Sequence, residues 1–263
     1  MHKQLLTIFL ISASLLLSFN VNAEPDPKLW PVVKEAFFAK RDIQEVEFIK
    51  IEAPRRAESG AQVPVTYSID NAAANGVVIK KLYAIVDANP IPLTATYHLT
   101  DMLGNFQLST RIRFETDAFV HLVGETADGK LYGATRPIRA AGGCGGTVDG
   151  DEAEIRASAG KIKLNVQTPV KFGSETATTF IIKHPMRTGL QRDLVSQGFV
   201  PAFYINKAAF TYNGKTVMSV DVGVGTSEDP YYKFYFIPSG PGVLEVKATD
   251  NEGKEFSHHI DLM

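Results

Sequence analysis

Cysteine is nearly absent from the sequence, with one residue in 263, and no charge sign dominates, since 27 basic side chains face 29 acidic ones. A single cysteine excludes an intramolecular disulfide framework, and with six scattered histidines it excludes the usual Cys-rich structural zinc sites. A net charge of -2 gives no electrostatic basis for binding nucleic acid or an anionic membrane surface. The composition, with 44% apolar residues, is that of an ordinary globular protein.

Long apolar runs are also missing, except at the N-terminus. A short basic start precedes an apolar core over residues 5–19, and residues 21–23 (VNA) end in the small residue that signal peptidase favours. We therefore expect residues 1–23 to be a signal peptide that is cleaved after Ala23, with an uncleaved anchor as the alternative. A helix that spans a membrane needs about 20 apolar residues, and the run over residues 5–19 is shorter than that. No second apolar run exists, so no membrane insertion is expected after cleavage.

Two stretches of the chain share a strand, turn, strand pattern. Residues 120–138 read VHLVGETADGKLYGATRPI, and residues 243–260 read VLEVKATDNEGKEFSHHI. Gly129 and Gly253 stand at the points where the chain must reverse between two half-buried strands in each stretch. Runs rich in β-branched and aromatic residues precede both stretches. The repeat predicts two antiparallel β-sandwiches in tandem, each of which closes its own sheet unit.

Helix signals are sparse. The clearest covers residues 28–40, where Pro31 suits a first turn and Leu29, Val33 and Phe37 fall on one stripe. We expect this helix to pack on the first sandwich, with Trp30 as its anchor rather than as a ligand platform.

The only cysteine lies between the two predicted units, in the sequence GGCGG over residues 142–146. Four glycines around a given cysteine arise by chance only ~2 times in 100,000 when glycine is about 7% of residues. Gly142, Gly143, Gly145 and Gly146 offer the thiol no apolar neighbours. They predict a mobile, solvated arm that docks only loosely and is small enough to enter the active sites of other proteins.

A cysteine on such an arm is better suited to carrying a group than to catalysis, because a nucleophilic enzyme needs a base held in hydrogen-bonding geometry. Its ionisation is not predictable from its neighbours. Arg136 and Arg139 would favour the thiolate, whereas the acidic side chains of residues 149–154 would oppose it.

The remaining candidate sites are weaker. His184 is assigned a structural loop role, since no second metal ligand is apparent. His258 and His259 are adjacent on a predicted strand, so their side chains face opposite sides and do not share a metal. His98 and His121 have no distinctive spacing. The aromatic run of residues 231–236 (YYKFYF) is expected to serve the sheet core and the packing between the two units.

The whole mature chain resembles the SoxYZ sulfur-carrier proteins, in which a small Y subunit ends in GGCGG and binds a Z subunit of immunoglobulin-like fold. Residues from about 46 to 146 resemble the Y part through IVDANPIPLTATYHL (85–99), TRIRFET (110–116) and the cysteine arm. Residues from about 155 to 263 resemble the Z part through HPMRTGL (184–190), VPAFYI (200–205) and the PSGPGVLEVKATDNEGK ending.

The expected fold is therefore all-β, with two immunoglobulin-like antiparallel β-sandwiches in tandem and a short N-terminal helix. The expected segments are a signal peptide (1–23), a SoxY-like sandwich with the helix (24–140), a glycine-rich cysteine arm and linker (141–154), and a SoxZ-like sandwich (155–263).

The resemblance implies a periplasmic carrier rather than an enzyme, without metal or organic cofactor. Cys144 would hold thiosulfate or another reduced-sulfur species covalently. The implied partners are sulfur-oxidising periplasmic enzymes and c-type cytochromes. Because the Z-like part follows the cysteine directly, the arm is tethered at both ends. This resembles fused carriers that are associated with quinoprotein dehydrogenases, and such a dehydrogenase system is the other candidate partner.

Two other functions stay open at this point. One is a noncatalytic accessory protein of a periplasmic quinoprotein dehydrogenase or cytochrome system, which would function without the thiol. The other is a thiol enzyme, which would turn over sulfur substrates by itself.

Overall fold

The computed structural model describes residues 25–263, so the expected signal peptide lies outside the described residues. The two α-helices of the described part are α1 Leu29–Phe38 and α2 Glu152–Ser158. The strands before the cysteine are β1 Ile43–Glu45, β2 Ile49–Glu52, β3 Val63–Ile69, β4 Ile79–Val86, β5 Leu93–Leu99, β6 Gln107–Ile112, β7 Ala118–Thr126 and β8 Leu131–Ile138. The strands after it are β9 Thr147–Val148, β10 Ile162–Val166, β11 Thr176–Ile182, β12 Arg192–Asp193, β13 Ile205–Tyr212, β14 Lys215–Val222, β15 Tyr231–Phe236, β16 Gly242–Asp250 and β17 Glu255–Leu262.

The strands form two large sheets and one small ribbon. The nine-stranded sheet has the order β1-β8-β7-β4-β5-β14-β13-β16-β17, and the six-stranded sheet has the order β10-β11-β15-β6-β3-β2. Strands β9 and β12 pair in parallel as a separate ribbon. Neighbouring strands of the large sheets are antiparallel, except where β1 joins β8. The predicted all-β architecture of tandem sandwiches with a short N-terminal helix is confirmed.

The two predicted hairpins are present. Strands β7 and β8 pair antiparallel with a turn at Gly129 (φ +84°), and β16 and β17 pair with a turn at Gly253 (φ +87°). Both glycines adopt the left-handed conformation that side chains disfavour.

The two sandwiches are joined edge to edge through both sheets, which differs from the expectation that each closes its own unit. In the larger sheet, β5 of the first half pairs with β14 of the second from Ala95↔Val222 to Leu99↔Met218. In the smaller sheet, β6 pairs with β15 at Leu108↔Phe234. Because an exposed strand edge carries unpaired peptide groups, pairing the edges satisfies both modules at once. The orientation of one module to the other is thereby fixed.

Aromatic side chains fill the core across this junction. Tyr97 of the first module contacts Tyr232 of the second in an edge-to-face arrangement, with ring centroids 6.3 Å apart. Phe180 and Phe210 pack edge to face at 5.3 Å within the second module. Alternate residues of β15 are buried, so the predicted role of the 231–236 run in core and inter-module packing is confirmed.

Helix α1 covers the outer face of the nine-stranded sheet, as the sequence predicts. Phe38 is buried against Ile85, Val123 and Leu131. Trp30 stacks on the imidazole of His121, with ring centroids 3.7 Å apart and an interplanar angle of 8°. In the described part of the chain, no helix is long and apolar enough to cross a membrane.

Replacing Trp30 with alanine is expected to lower the free energy of unfolding by about 1–2 kcal/mol, because the change removes a stacked pair and exposes His121. Urea denaturation would measure the loss. Val32→Ala on the same helix is the control, since Val32 is 72% exposed and its truncation should cost less than about 0.5 kcal/mol. Equal losses in both variants would contradict the anchoring role of Trp30.

Candidate functional site

The backbone that leads to the cysteine lies against the first module. The carboxylate of Asp117 accepts a hydrogen bond from the N–H of Ala140 at 2.9 Å. The N–H of Gly142 donates to the carbonyl of Glu115 at 2.9 Å, and that of Gly143 donates to the carbonyl of Phe114 at 2.8 Å. The peptide groups of the arm therefore hydrogen-bond to the first module as far as Gly143, the residue before the cysteine.

Two side chains hold the cysteine itself. The Oε2 atom of Glu115 accepts hydrogen bonds from the N–H of Cys144 at 2.8 Å and from that of Gly145 at 3.1 Å. The hydroxyl of Thr188 donates to the carbonyl of Cys144 at 2.7 Å. Glu115 belongs to the first module and Thr188 to the second, so the cysteine lies at their junction.

The backbone after the cysteine is anchored to the second module. The N–H of Arg192 donates to the carbonyl of Gly146, and the N–H of Leu194 donates to the carbonyl of Val148, each at 2.9 Å. These bonds belong to the β9–β12 ribbon. The arm is therefore fixed on both sides of Cys144.

The glycines of the arm have different structural roles. A Cβ atom on Gly143 would overlap the carbonyl oxygen of Gly60 and lie 2.6 Å from that of Phe114. Gly142 and Gly146 adopt φ values of +74° and +92°. A Cβ on Gly145 would lie 3.5 Å from the carboxylate of Glu115, which is an ordinary contact. Close backbone approach, rather than mobility, is thus the requirement at Gly143.

The expectation of a solvated, loosely docked arm is wrong in this structure. Cys144 is only 4% exposed. The sequence argument considered the missing side chains of the glycines and overlooked their peptide groups, which here find acceptors in Glu115 and Phe114. Those hydrogen bonds and the close packing offset the entropy lost on ordering the arm.

The environment suppresses ionisation of the thiol. Burial, together with the charge of Glu115, raises the pKa of Cys144 from 9.0 to about 11, although the guanidinium of Arg113 acts to lower it. The arginines before the cysteine, which the sequence analysis expected to favour the thiolate, make other contacts. Arg136 donates to the carbonyl of Ala53. The thiol is therefore protonated near neutral pH in its docked position.

The acidic segment after the arm is used locally as well. Asp151 caps helix α2, which the sequence analysis did not anticipate, by accepting from the N–H groups of Ala153 and Glu154. Glu152 forms an ion pair of 2.6 Å with Arg187. These carboxylates stabilise the segment that follows the arm.

The HPMRTGL segment of residues 184–190 is a part of the second module that contacts the arm. His184 is fully buried. Its ring Nδ1 atom accepts a hydrogen bond from the N–H of Met186 at 3.2 Å, and its backbone N–H donates to the carboxylate of Asp229 at 2.8 Å. Burial lowers the pKa of His184 to about 4, so its imidazole is neutral. The loop role assigned to His184 is confirmed, and Thr188 is the residue of this segment that contacts the arm.

None of the other histidines among residues 25–263 is hydrogen-bonded to residues 142–146. His98 pairs with Asp221 at 2.6 Å, and His121 contacts Asp87 at 3.3 Å. His258 and His259 are exposed on β17. No group of three metal-ligating side chains is found among residues 25–263.

Sequence reasoning missed Arg113, Glu115 and Thr188 as site residues. Arg113 donates to the carbonyl of Gly143 at 3.2 Å. A signal was available, since Arg113 and Glu115 are two residues apart in the TRIRFET segment, and residues at this spacing in an extended chain share a side. Only the fold shows that this side faces the arm.

Comparisons with known proteins agree with this arrangement of two modules around a cysteine. The family model for the sulfur oxidation protein SoxY matches residues 34–144, and the model for the sulphur oxidation protein SoxZ matches residues 162–261. No curated protein sequence matches the chain.

Several solved structures are similar to parts of the chain. The sulfur carrier protein SoxY from Chlorobium limicola f thiosulfatophilum is 28% identical over 43% of this chain and 92% of that chain, with a TM-score of 0.36. A superoxide reductase (neelaredoxin) from Ignicoccus hospitalis is 12% identical over 42% of this chain and 91% of that chain, with a TM-score of 0.30. Fibronectin(III)-like modules of Clostridium thermocellum CbhA are 12% identical over 81% of this chain and 92% of those modules, with a TM-score of 0.25.

The two family models match successive stretches that together include most of the chain, and the first match ends at Cys144 itself. The resemblance inferred from the sequence motifs is therefore confirmed. The chain belongs to the SoxYZ sulfur-oxidation proteins, as a SoxY domain followed by a SoxZ domain in one polypeptide.

Proposed function

We propose that the protein is a sulfur carrier that holds thiosulfate or another reduced-sulfur intermediate covalently on Cys144 while partner enzymes process it. The observation that carries this proposal is the position of the only cysteine. It lies on a glycine arm at the junction of a SoxY and a SoxZ domain, where its N–H donates to Glu115 of the first and its carbonyl accepts from Thr188 of the second. A thiol held in this way can be withheld or presented by breaking a few hydrogen bonds.

The docked and released positions have different chemical roles. In the docked position the thiol is protonated, because burial raises its pKa to about 11. A protonated thiol is a weak nucleophile, so accidental reactions with oxidants and disulfides are slow. Release from Glu115 and Thr188 restores the ordinary reactivity of the thiol and allows it to be loaded.

Loading with thiosulfate is an oxidation. The released Cys144 loses its proton, its sulfur forms an S–S bond with the outer sulfur of thiosulfate, and two electrons leave. The acceptors are oxidised haems of a partner c-type cytochrome. The product is a thiosulfonate on Cys144 with one negative charge, where thiosulfate had two.

The tethers limit how far the cysteine can reach. If the anchors at Ala141 and Thr147 stay in place, the backbone between them extends to about 20 Å, so its midpoint moves out by at most about 10 Å. The active site of the partner must therefore be shallow, or the β9–β12 ribbon must open as well. This geometry fits partners whose docking surface surrounds the arm.

The carrier would act in the periplasm, after cleavage of a signal peptide at Ala23. Its partners would be sulfur-oxidising enzymes and c-type cytochromes of that compartment, and Cys144 would be an attachment site rather than a catalytic residue. Gly142, Gly143, Gly145 and Gly146 would let the released arm enter a narrow active site.

Mass spectrometry of protein isolated from its native periplasm tests the proposal. A reducible sulfur adduct is expected on the peptide that contains Cys144, and Cys144→Ser should lack the adduct and the associated physiology. If Cys144 is always a plain thiol and Cys144→Ser supports the same physiology, the proposal is wrong. Turnover of sulfur substrates by the purified protein alone would instead indicate a thiol enzyme.

A noncatalytic accessory role beside a quinoprotein dehydrogenase or cytochrome is the second candidate. The observation in its favour is a set of exposed apolar side chains after β12, among them Val195 (87% exposed) and Phe199 (62% exposed). Under this alternative, Cys144→Ser keeps full function, whereas Phe199→Ser abolishes capture of the partner. The carrier proposal expects loss of function in Cys144→Ser.

A further inference from the structure

Arg113 is a buried cation without an anionic partner in the described part of the chain. The residue is 4% exposed, and its guanidinium donates to two carbonyl oxygens, those of Thr226 at 3.3 Å and Gly143 at 3.2 Å. Other arginines near the arm have carboxylate partners, as Arg187 has in Glu152 at 2.6 Å and Arg139 has in Asp117 at 3.5 Å. Burying an unpaired charge is costly, so this arrangement requires an explanation.

The guanidinium of Arg113 is hydrogen-bonded to the GGCGG stretch of residues 142–146, in which Cys144 has the only ionisable side chain. Its hydrogen bond to Gly143 reaches the residue before Cys144. The charge of Arg113 lowers the pKa of the thiol, and the thiolate in turn raises the pKa of Arg113, which burial lowers. The two groups are thus electrostatically coupled in the docked arm.

Glu115 does not neutralise Arg113. Its Oε2 atom is occupied by the N–H groups of Cys144 and Gly145, so this carboxylate is directed at the arm backbone. Glu228 also acts on Arg113 through its charge, but its side chain lies at the exposed surface. A buried guanidinium that donates only to carbonyls retains the capacity to bind an anion, and its planar fork suits the oxygens of a sulfonate.

We propose that Arg113 is the counter-ion for a terminal sulfonate carried on Cys144, so that the loaded arm returns to its docked position with the charge of its cargo neutralised. This inference rests on the proposed function, since it assumes that Cys144 is the attachment site, and it deepens that function by specifying an anionic cargo. A docked sulfonate is shielded from stray thiols that would displace it. A neutral adduct gains no such stabilisation from Arg113.

Chemical loading of the purified full-length protein tests the site without its natural partners. Under partly denaturing conditions, the Cys144 thiolate attacks an aromatic disulfide, its S–S bond breaks, one aromatic thiolate leaves, and Cys144 is left as a mixed disulfide. Sulfite then attacks the Cys144 sulfur of this mixed disulfide. The sulfur of sulfite forms a bond to the Cys144 sulfur, the original S–S bond breaks, and the aromatic thiolate leaves with the electron pair. Methyl methanethiosulfonate gives the neutral comparison adduct, a methylthio group, with methanesulfinate as the leaving group.

After refolding, the rate at which 2-mercaptoethanol removes each adduct is measured relative to the same adduct in denatured protein. The sulfonate is expected to be removed about tenfold more slowly in the wild type than in Arg113→Gln, with Arg113→Lys between them. Removal of the methylthio group should differ by less than twofold among the three proteins. Equal removal of the sulfonate from the wild type and Arg113→Gln would overturn the inference.

A second measurement keeps the test decisive if Arg113→Gln does not fold. Hydrogen exchange in the wild type should show stronger protection of the amides of residues 142–146 with the sulfonate than with the methylthio group. Equal protection overturns the inference.

The outcome is distinguishable from failure of the carrier proposal. If protein from the native periplasm carries no sulfur adduct but Arg113 shields the chemically made sulfonate, the anion site stands and the carrier proposal falls. If native Cys144 carries an adduct and Arg113 has no effect on the sulfonate, only the inference about Arg113 falls.

Discussion

Replacing Glu115 with alanine is expected to increase the rate at which iodoacetamide alkylates Cys144 at pH 7 by at least tenfold. Glu115 accepts the two N–H bonds that hold the cysteine, and burial together with its charge raises the pKa of the thiol from 9.0 to about 11. Full return to the ordinary pKa would raise the thiolate fraction by about 100-fold, because each unit of pKa is a factor of ten.

The pH dependence of alkylation gives an independent readout. For the docked wild type, the rate should keep rising by about tenfold per pH unit until it levels off near pH 11, since only the thiolate reacts. For Glu115→Ala, the rate should level off nearer to pH 9, because lost burial and lost negative charge both favour the thiolate.

Three further variants separate release of the arm from a general effect of losing a carboxylate. Glu58→Ala removes an exposed carboxylate and should leave the rate unchanged. Thr188→Val removes the hydrogen bond to the carbonyl of Cys144 and should give a smaller increase. Glu115→Gln keeps an acceptor oxygen and should fall between wild type and Glu115→Ala. An unchanged rate in Glu115→Ala would show that the docked position does not depend on this residue.

Alanine at Gly143 should expose the thiol, whereas alanine at Gly145 should not. A Cβ at position 143 would overlap the carbonyl oxygen of Gly60 and approach that of Phe114 at 2.6 Å, and neither backbone group can move away easily. Keeping the arm docked would then cost about 1–3 kcal/mol more than in the wild type, so the released arm is more populated. At Gly145 the nearest atom is 3.5 Å away, which leaves room for a methyl group.

Iodoacetamide labelling and hydrogen exchange over residues 140–148 would compare these two variants. Gly143→Ala is expected to react at least fivefold faster than the wild type and to lose amide protection, while Gly145→Ala stays within about twofold. Similar behaviour of both variants would mean that the glycines act only through backbone flexibility. The close approach at Gly143 would then not be what keeps the arm docked.

The sequence predicted the fold well where the pattern is local. The hairpins at Gly129 and Gly253 follow from alternating burial with a glycine at the turn, and α1 follows from a helical stripe after Lys28. Edge pairing of β5 with β14 was not predictable. It joins residues more than a hundred positions apart, and strand patterns specify which side of a strand is buried rather than which strand lies beside it.

The candidate site divides in the same way. The sequence by itself determined that Cys144 is the only thiol, that four glycines surround it, and that it lies between a SoxY-like and a SoxZ-like half. Only the tertiary structure decided that the arm is docked. The partners of its peptide groups, Glu115 and Thr188, are 29 and 44 residues away from Cys144 in the chain. Hydrogen bonds and burial of this kind depend on how distant segments meet in space, and they set both the pKa of the thiol and the conditions for its release.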